Sequence, residues 1–252
     1  MIRIYLSGHM MLETETGLAQ SKDFPGRQGR EAFAYLAINR TRPVTRAELA
    51  DALWGDRPPD SWGTSLSAIV SKLRTLLSRS GLNGSEALVT DDRCHSLHLP
   101  SGTWVDHEVA LDAVHEAETA LAAGEPARAY GPSAVAHHIT RRPFLPGAEG
   151  TWIAHRREML ANVQIRSLEC RATVYLWNGE HTLAVEAARE MITLRPFRES
   201  GYRLLMRGHA AAGNSAEALQ VYEQCRSFIA DELGVPPSQQ TKEVYAEVLE
   251  GL

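Results

Sequence analysis

Cysteine is scarce in this sequence. Cys94, Cys170 and Cys225 are the only three in 252 residues. They lie far apart and form no CxxC pair, so neither a disulfide framework nor a structural zinc site is indicated, and a reducing compartment fits. Long apolar runs are missing as well. None approaches the roughly 18 residues of a membrane span, and Met1 to Gly8 reaches polar residues too early for a signal-peptide core. The expected location is the cytoplasm, with no membrane partner. Positive charge is not in excess either: 26 Lys and Arg face 31 Asp and Glu, a net −5. That excludes a uniformly basic nucleic-acid coat but leaves room for a local basic face. With 44% hydrophobic and 23% charged residues the composition lies near the globular average, so neither disorder nor a fibrous repeat fits. The length suits one large domain or two of ordinary size. Asn83-Gly84-Ser85 matches a glycosylation sequon, but without a secretory route it reads as a turn.

Charge and pattern change near residue 100. Residues 1 to 100 carry 12 basic and 11 acidic side chains, and residues 101 to 252 carry 14 and 20, so the acidity belongs to the second part. Within residues 24 to 79 there are 9 basic and 5 acidic groups. Any nucleic-acid contact is expected there.

The chain opens on short strands. Ile2, Ile4 and Leu6 alternate with Arg3, Tyr5 and Ser7, and Met10 to Leu12 resumes after Gly8. From Arg27 the period becomes helical, with Phe33, Leu36 and Ala37 on one face, and the pattern stops around Asn39 to Pro43. Thr45 with Glu48 forms a capping box for a short second helix bearing Leu49, Ala50, Leu53 and Trp54. Asp60 or Ser61 can cap a third, whose stripe is Leu66, Ile69, Val70, Leu73, Leu76 and Leu77. Gly81 to Ser85 reads as a turn. Leu88-Val89 and Leu97 with Leu99, across Asp91 to His95, read as a β-hairpin. Strands, three helices and a hairpin make a winged helix over residues 1–100.

Beyond Trp104 the pattern is helical and rich in alanine. Gly179-Glu180-His181-Thr182-Leu183-Ala184-Val185 recurs as Gly213-Asn214-Ser215-Ala216-Glu217-Ala218-Leu219, an offset of 34 residues, the tetratricopeptide period. Ala184 and Ala218 share one repeat position, where a small side chain lets paired helices approach. Tyr175 and Pro196 also suit that repeat, and Gly124-Glu125-Pro126 looks like an earlier, degenerate copy of the turn. Trp152 to Trp177 is expected to be a long helix and Gln239 to Leu249 a closing one. Residues 101–252 therefore read as a helical domain.

The third helix turns a small, hydroxylated side away from its leucines: Thr64, Ser67, Ala68, Ser71, Thr75 and Ser78 at 100° per residue. Lys72 and Arg79 flank it on one edge and Arg74 on the other. Such a face suits the major groove, where hydroxyls meet base edges or phosphates and long cations reach guanine acceptors. The bland alternative is a solvated helix surface, and the helix's place in a helix-turn-helix favours the groove. Arg27 and Arg30 on the first helix, and Arg42 and Arg46 before the second, are candidates for phosphates. Arg93 and His95 at the hairpin tip can enter a minor groove, against repulsion from Asp91 and Asp92.

Together these residues resemble the Streptomyces antibiotic regulatory protein (SARP) family over almost the whole chain. The marks are Gly26-Arg27-Gln28-Gly29-Arg30, Arg42-Pro43-Val44-Thr45-Arg46, Leu53-Trp54-Gly55-Asp56 with Pro58-Pro59, Val70-Ser71-Lys72-Leu73-Arg74, and Asp231-Glu232-Leu233-Gly234-Val235-Pro236-Pro237. The resemblance implies an α+β fold: an OmpR-like (OmpR/PhoB-type) winged helix followed by an all-α, tetratricopeptide-like bacterial transcriptional activation domain. It further implies double-stranded promoter DNA bound at direct repeats, two protomers side by side, contact with RNA polymerase and sigma factor, and activation of an antibiotic biosynthetic gene cluster. Carried over by position, Thr64, Ser65, Ser71, Lys72 and Arg74 are DNA contacts. The sequence departs from relatives at Ser71, where arginine is frequent, and at Cys94-His95, where the wing usually has Gly-Tyr. Larger members add a nucleotide-binding module; with no GxxxxGK[ST] loop here, the short form is expected.

An enzyme is the first rival. His107 with Glu108, His137 with His138, and Cys94-His95 with His98 lack HExxH or tetrahedral-site spacing, so no catalysis, metal or cofactor is expected. The second rival is an interaction scaffold, or a ligand-responsive regulator without direct activation, because helical repeats bind peptides in a groove.

Overall fold

The computed structural model describes residues 1–251 and contains two compact units. Unit 1 comprises Met1–Val109 with Ile139–Leu160, and unit 2 comprises Ala110–His138 with Ala161–Leu252. Residues 139–160 thus fold with the first unit, although they lie well past residue 100.

Unit 1 opens with β1 (Arg3–Tyr5), β2 (Met11–Glu13) and β3 (Leu18–Gln20). In each three-residue strand the middle side chain, Ile4, Leu12 or Ala19, is buried, as period-2 alternation requires. Three helices follow: α1 (Gly26–Ile38), α2 (Arg46–Trp54) and α3 (Trp62–Arg79), with the two-residue β4 (Val44–Thr45) ahead of α2. The capping box forms as read, with the Glu48 N–H donating to Thr45 Oγ1 at 3.1 Å. At α3 the N-cap is Ser61, but its side chain makes no capping bond; backbone bonds from Thr64 and Ser65 to its carbonyl begin the helix.

After α3 the expected turn holds one helical turn, α4 (Gly84–Ala87), followed by β5 (Leu88–Asp91) and β6 (Cys94–Leu97). Asp91 pairs with Cys94, so the loop has two residues, Asp92 (φ 39) and Arg93 (φ 64), both left-handed. That is the primed turn whose twist matches a hairpin. β4 adds to β6 as a third strand, pairing Val44 with His95. Finally β7 (Trp104–Val105) lies parallel to β1 and completes a sheet of order β3-β2-β1-β7. Residues 139–160 contribute Phe144, Leu145, Ile153 and Leu160 to the same core as Ile4, Leu12, Phe33, Leu73 and Leu77. Asp106 fixes the end of β1 by accepting the Leu6 and Ser7 N–H groups at 2.8 Å each.

Unit 2 is helical: α5 (Asp106–Ala122), α6 (Pro126–Thr140) and α7 (Thr151–Trp177) each contribute residues to it, followed by α8 (His181–Leu194), α9 (Glu199–Ala211), α10 (Ser215–Leu233) and α11 (Gln239–Glu250). The turns after α5, α7 and α9 are copies of one another. Gly124, Gly179 and Gly213 are left-handed at φ 74, 76 and 79. The next N–H, of Glu125, Glu180 or Asn214, bonds back to the carbonyl of Ala120, Tyr175 or His209. This six-to-one bond is the Schellman closure, which satisfies a terminal carbonyl and favours glycine. Ala184 and Ala218 are both fully buried. α9 approaches α8 so closely that a Cβ on Gly208 would stand 2.9 Å from Val185 Cγ2. No helix among the described residues is long and apolar enough to cross a membrane.

Candidate nucleic-acid interface

Helix α3 divides cleanly. Leu66, Leu73 and Leu77 are fully buried, with Val70, Leu76 and Ile69 nearly so. Thr64, Ser67, Ala68, Ser71, Lys72, Thr75, Ser78 and Arg79 are exposed, while Ser65 and Arg74 are half-buried. Burial of the leucine stripe thus leaves a continuous strip of small side chains with Lys72 and Arg79 beside it. Several of the hydroxyls already have partners on their own helix. Ser67 Oγ donates to the Gly63 carbonyl at 2.9 Å and Thr75 Oγ1 to that of Ser71 at 3.2 Å. Such back-bonding leaves the hydroxyl oxygen able to accept a further bond. Ser78 Oγ accepts the Gly84 N–H and so anchors α4.

Two arginines that the sequence offers as DNA contacts hold α3 in place. Arg74 Nε donates to the Leu88 carbonyl and Arg74 Nη2 to Thr90 Oγ1, both at 2.8 Å, tying α3 to the first strand of the hairpin. Arg46 Nη2 donates to the Gly63 carbonyl at 2.9 Å and to Ser67 Oγ at 3.2 Å, tying α2 to the start of α3. Fork-shaped guanidinium groups suit this bridging, because one side chain satisfies two acceptors in fixed geometry. Arg42 is likewise paired, with Glu48. Its hydrogen bonds are the main cause holding the Glu48 carboxyl below the usual range, against burial, helped by a bond from Tyr35 at 2.7 Å. Sequence spacing gives no sign of these pairings, since each partner lies on another element.

The hairpin differs from the sequence reading at one position. Arg93 stands exposed at the tip between Asp92 and Cys94, but His95 is buried at 2% exposure. It cannot reach a groove. Its Nδ1 meets Thr90 Oγ1 at 2.8 Å, and burial, with the charges of Arg46 and Arg74, lowers its pKa to about 4. The alternation of His95 and Leu97, both buried, with half-buried Cys94 and Ser96 is the signal that places it inward. A chain of contacts runs from Arg74 through Thr90 to His95 and couples α3 to both strands of the hairpin.

Arg27 and Arg30 gather elsewhere. They line a cavity with Gly8, His9, Lys22 and Glu31 to which no α3 residue contributes. The remaining histidine candidates form no metal site: no group of three or more His, Cys, Asp or Glu among the described residues can hold an ion. His107 is buried against Phe144, ring centroids 5.3 Å apart, and burial pushes its pKa to about 3.

Residues 105–249 match the family model of the bacterial transcriptional activator domain. Over 223 residues the chain is 30% identical to the regulatory protein AfsR of Streptomyces coelicolor, covering 88% of this chain and 22% of that protein. It is 28% identical to the transcriptional regulator RedD of the same organism, covering 87% and 63%. The chain therefore spans less than two thirds of either relative. A solved structure of Mycobacterium tuberculosis EmbR in complex with a low-affinity phosphopeptide superimposes with a TM-score of 0.88 at 22% identity, over 99% of this chain and 65% of that one. That likeness supports an N-terminal winged helix followed by a helical activator domain.

Proposed function

The chain belongs to the Streptomyces antibiotic regulatory protein family of transcriptional regulators, and from that premise we propose that it reads promoter DNA through α3 and activates transcription from there. The observation carrying this reading is the exposed face of α3, small and hydroxylated with Lys72 and Arg79 at its edge, on a helix fixed by buried leucines. Side chains of that size permit close approach to base edges, and the cations supply phosphate or guanine contacts. In this proposal Thr64, Ser65, Ser67, Ser71 and Lys72 face the major groove. Arg79 and Arg93 meet the backbone, Arg93 from the wing. Arg46 and Arg74 act by holding α3 and the hairpin in register.

The finer expectations follow the same premise. The winged helix is of the OmpR type, and the helical domain, with its 34-residue turn spacing, is tetratricopeptide-like. Two protomers occupy a direct repeat in the cytoplasm, recruit RNA polymerase with its sigma factor, and switch on an antibiotic biosynthetic gene cluster.

The test is selection of duplexes from a random pool, followed by gel shifts of the selected sequence over a range of salt. A steep fall of affinity with salt is expected. Lys72→Ala should lose about 1 to 3 kcal/mol of binding if it reads a base, or reduce the salt slope by about one if it meets phosphate. Recovery of no preferred sequence, or a Lys72→Ala protein indistinguishable from the parent at every salt concentration, overturns the assignment of α3. It would favour the scaffold reading instead.

A further inference from the structure

The cavity that collects Arg27 and Arg30 has a volume of about 300 Å³ and is also lined by His9, Lys22 and Glu31. Its chemistry is mixed. Lys22, Arg27 and Arg30 line the cavity together with Glu31, whose carboxylate is only 2% exposed, and Arg30 Nη1 also donates to the Ser21 carbonyl at 3.4 Å. Glu31 Oε1 has no hydrogen-bond partner; its nearest cation, Arg27 Nε, is 3.5 Å away, an ion pair without a hydrogen bond. A buried acceptor left unpaired is costly. Arg27 stands in the first turn of α1, a turn that holds no acidic residue to pair with it. Burial raises the Glu31 pKa while Arg27 and Arg30 oppose the rise, the mark of a carboxylate kept from water but not neutralised by hydrogen bonds.

We propose that this cavity binds a small phosphate monoester that also carries a hydroxyl, with the phosphate on Lys22, Arg27 and Arg30, and the ligand hydroxyl donating to the Glu31 carboxylate. Three cations call for more than one negative charge. The unpaired carboxylate oxygen calls for a donor that inorganic phosphate supplies poorly and a duplex backbone, whose exposed oxygens only accept, does not supply at all. The volume admits a molecule of triose to hexose size. The site is independent of the α3 face, so its test needs no DNA.

Isothermal titration of the full chain with glycerol 3-phosphate, inorganic phosphate and glycerol decides the matter. Glycerol 3-phosphate should bind saturably at one site per chain and more tightly than inorganic phosphate, and glycerol should give no heat. Arg27→Ala with Arg30→Ala should weaken both anions by about tenfold or more, since two charge-assisted contacts are lost. Glu31→Met, which removes the acceptor at similar volume, should abolish the preference for glycerol 3-phosphate. Thermal unfolding of each unliganded variant shows that it is folded, and Arg30→Lys, which keeps the charge, should retain part of the affinity. Absence of saturable heat with glycerol 3-phosphate, equal binding by the parent and the double arginine variant, or an unchanged preference in folded Glu31→Met overturns the proposal. A double variant that only weakens duplex binding and flattens its salt slope, with no small anion bound, also overturns it and reassigns the arginines to the DNA backbone.

Discussion

In unit 1 helix α3 buries Leu66, Leu73 and Leu77 in the core that also holds Phe33, Ile4 and Leu12, whereas in unit 2 α8 and α10, each packed on α9, bury Ala184, Ala187, Ala188 and Ala218. The first arrangement interlocks large side chains and keeps one face of the helix outward. The second brings backbones together, with glycine at the closest approach. The difference lies in what each surface has to present. A helix that keeps one face open needs a rigid base, and large apolar side chains supply the area for that base. A stack of repeated helix pairs needs equal spacing from one pair to the next, which small residues and identical turns supply.

Opposite substitutions should therefore harm the two units. Leu73→Ala opens a cavity beneath α3 and should cost about 2 to 5 kcal/mol, read as a lower midpoint in urea; an unchanged midpoint would mean that the stripe does not carry the unit. In unit 2 damage comes from enlargement. Ala218→Leu should cost about 1 to 3 kcal/mol by overpacking, measured the same way, and a neutral result would show that α10 can shift to make room.

Acid should separate the units further. The folded pKa of His95, about 4, lies below its ordinary 6.5, so the unfolded chain takes up the proton first. Stability is whole above pH 6.5 and is lost as the pH falls toward 4. His107, at about 3, acts in the same direction. Asp106, raised by burial to about 6 from 3.8, opposes them between those two values. Hydrogen exchange between pH 7 and 4.5 should show β5 and β6 opening ahead of α8 to α10, and His95→Gln should flatten that dependence. An identical acid profile in the variant would clear His95.

The smallest effect belongs to Arg74→Lys. It keeps the charge but not the two-acceptor bridge to Leu88 and Thr90, and should cost about 1 kcal/mol, visible as faster exchange in β5. Unaltered β5 protection would show that the Arg74 bridge does not hold this strand.

Much of this was legible locally. The Thr45–Glu48 box, the α3 stripe and the Gly179 and Gly213 turns depend on residues within a few positions of one another, and all three are present. β3 escaped because three residues with one buried alanine leave almost no periodic signal. β7 escaped for another reason: Trp104 and Val105 become a strand only by pairing with Arg3 and Ile4, about a hundred residues away. At the interface, the exposed hydroxyl face of α3 follows from spacing alone, but the ties of Arg46 and Arg74, the inward turn of His95 and the separate cavity of Arg27 and Arg30 do not.

The amino-acid order by itself determined that α1 to α3 and the segments after Trp104 become helices and which side of α3 is apolar, because those preferences arise from neighbours one to five residues apart; the single turn of α4 was not among them. Only the tertiary structure decided which charges are free to meet a ligand. A guanidinium takes whatever acceptors the fold brings within about 3 Å, and those acceptors come from carbonyls and hydroxyls on other elements that no local pattern places.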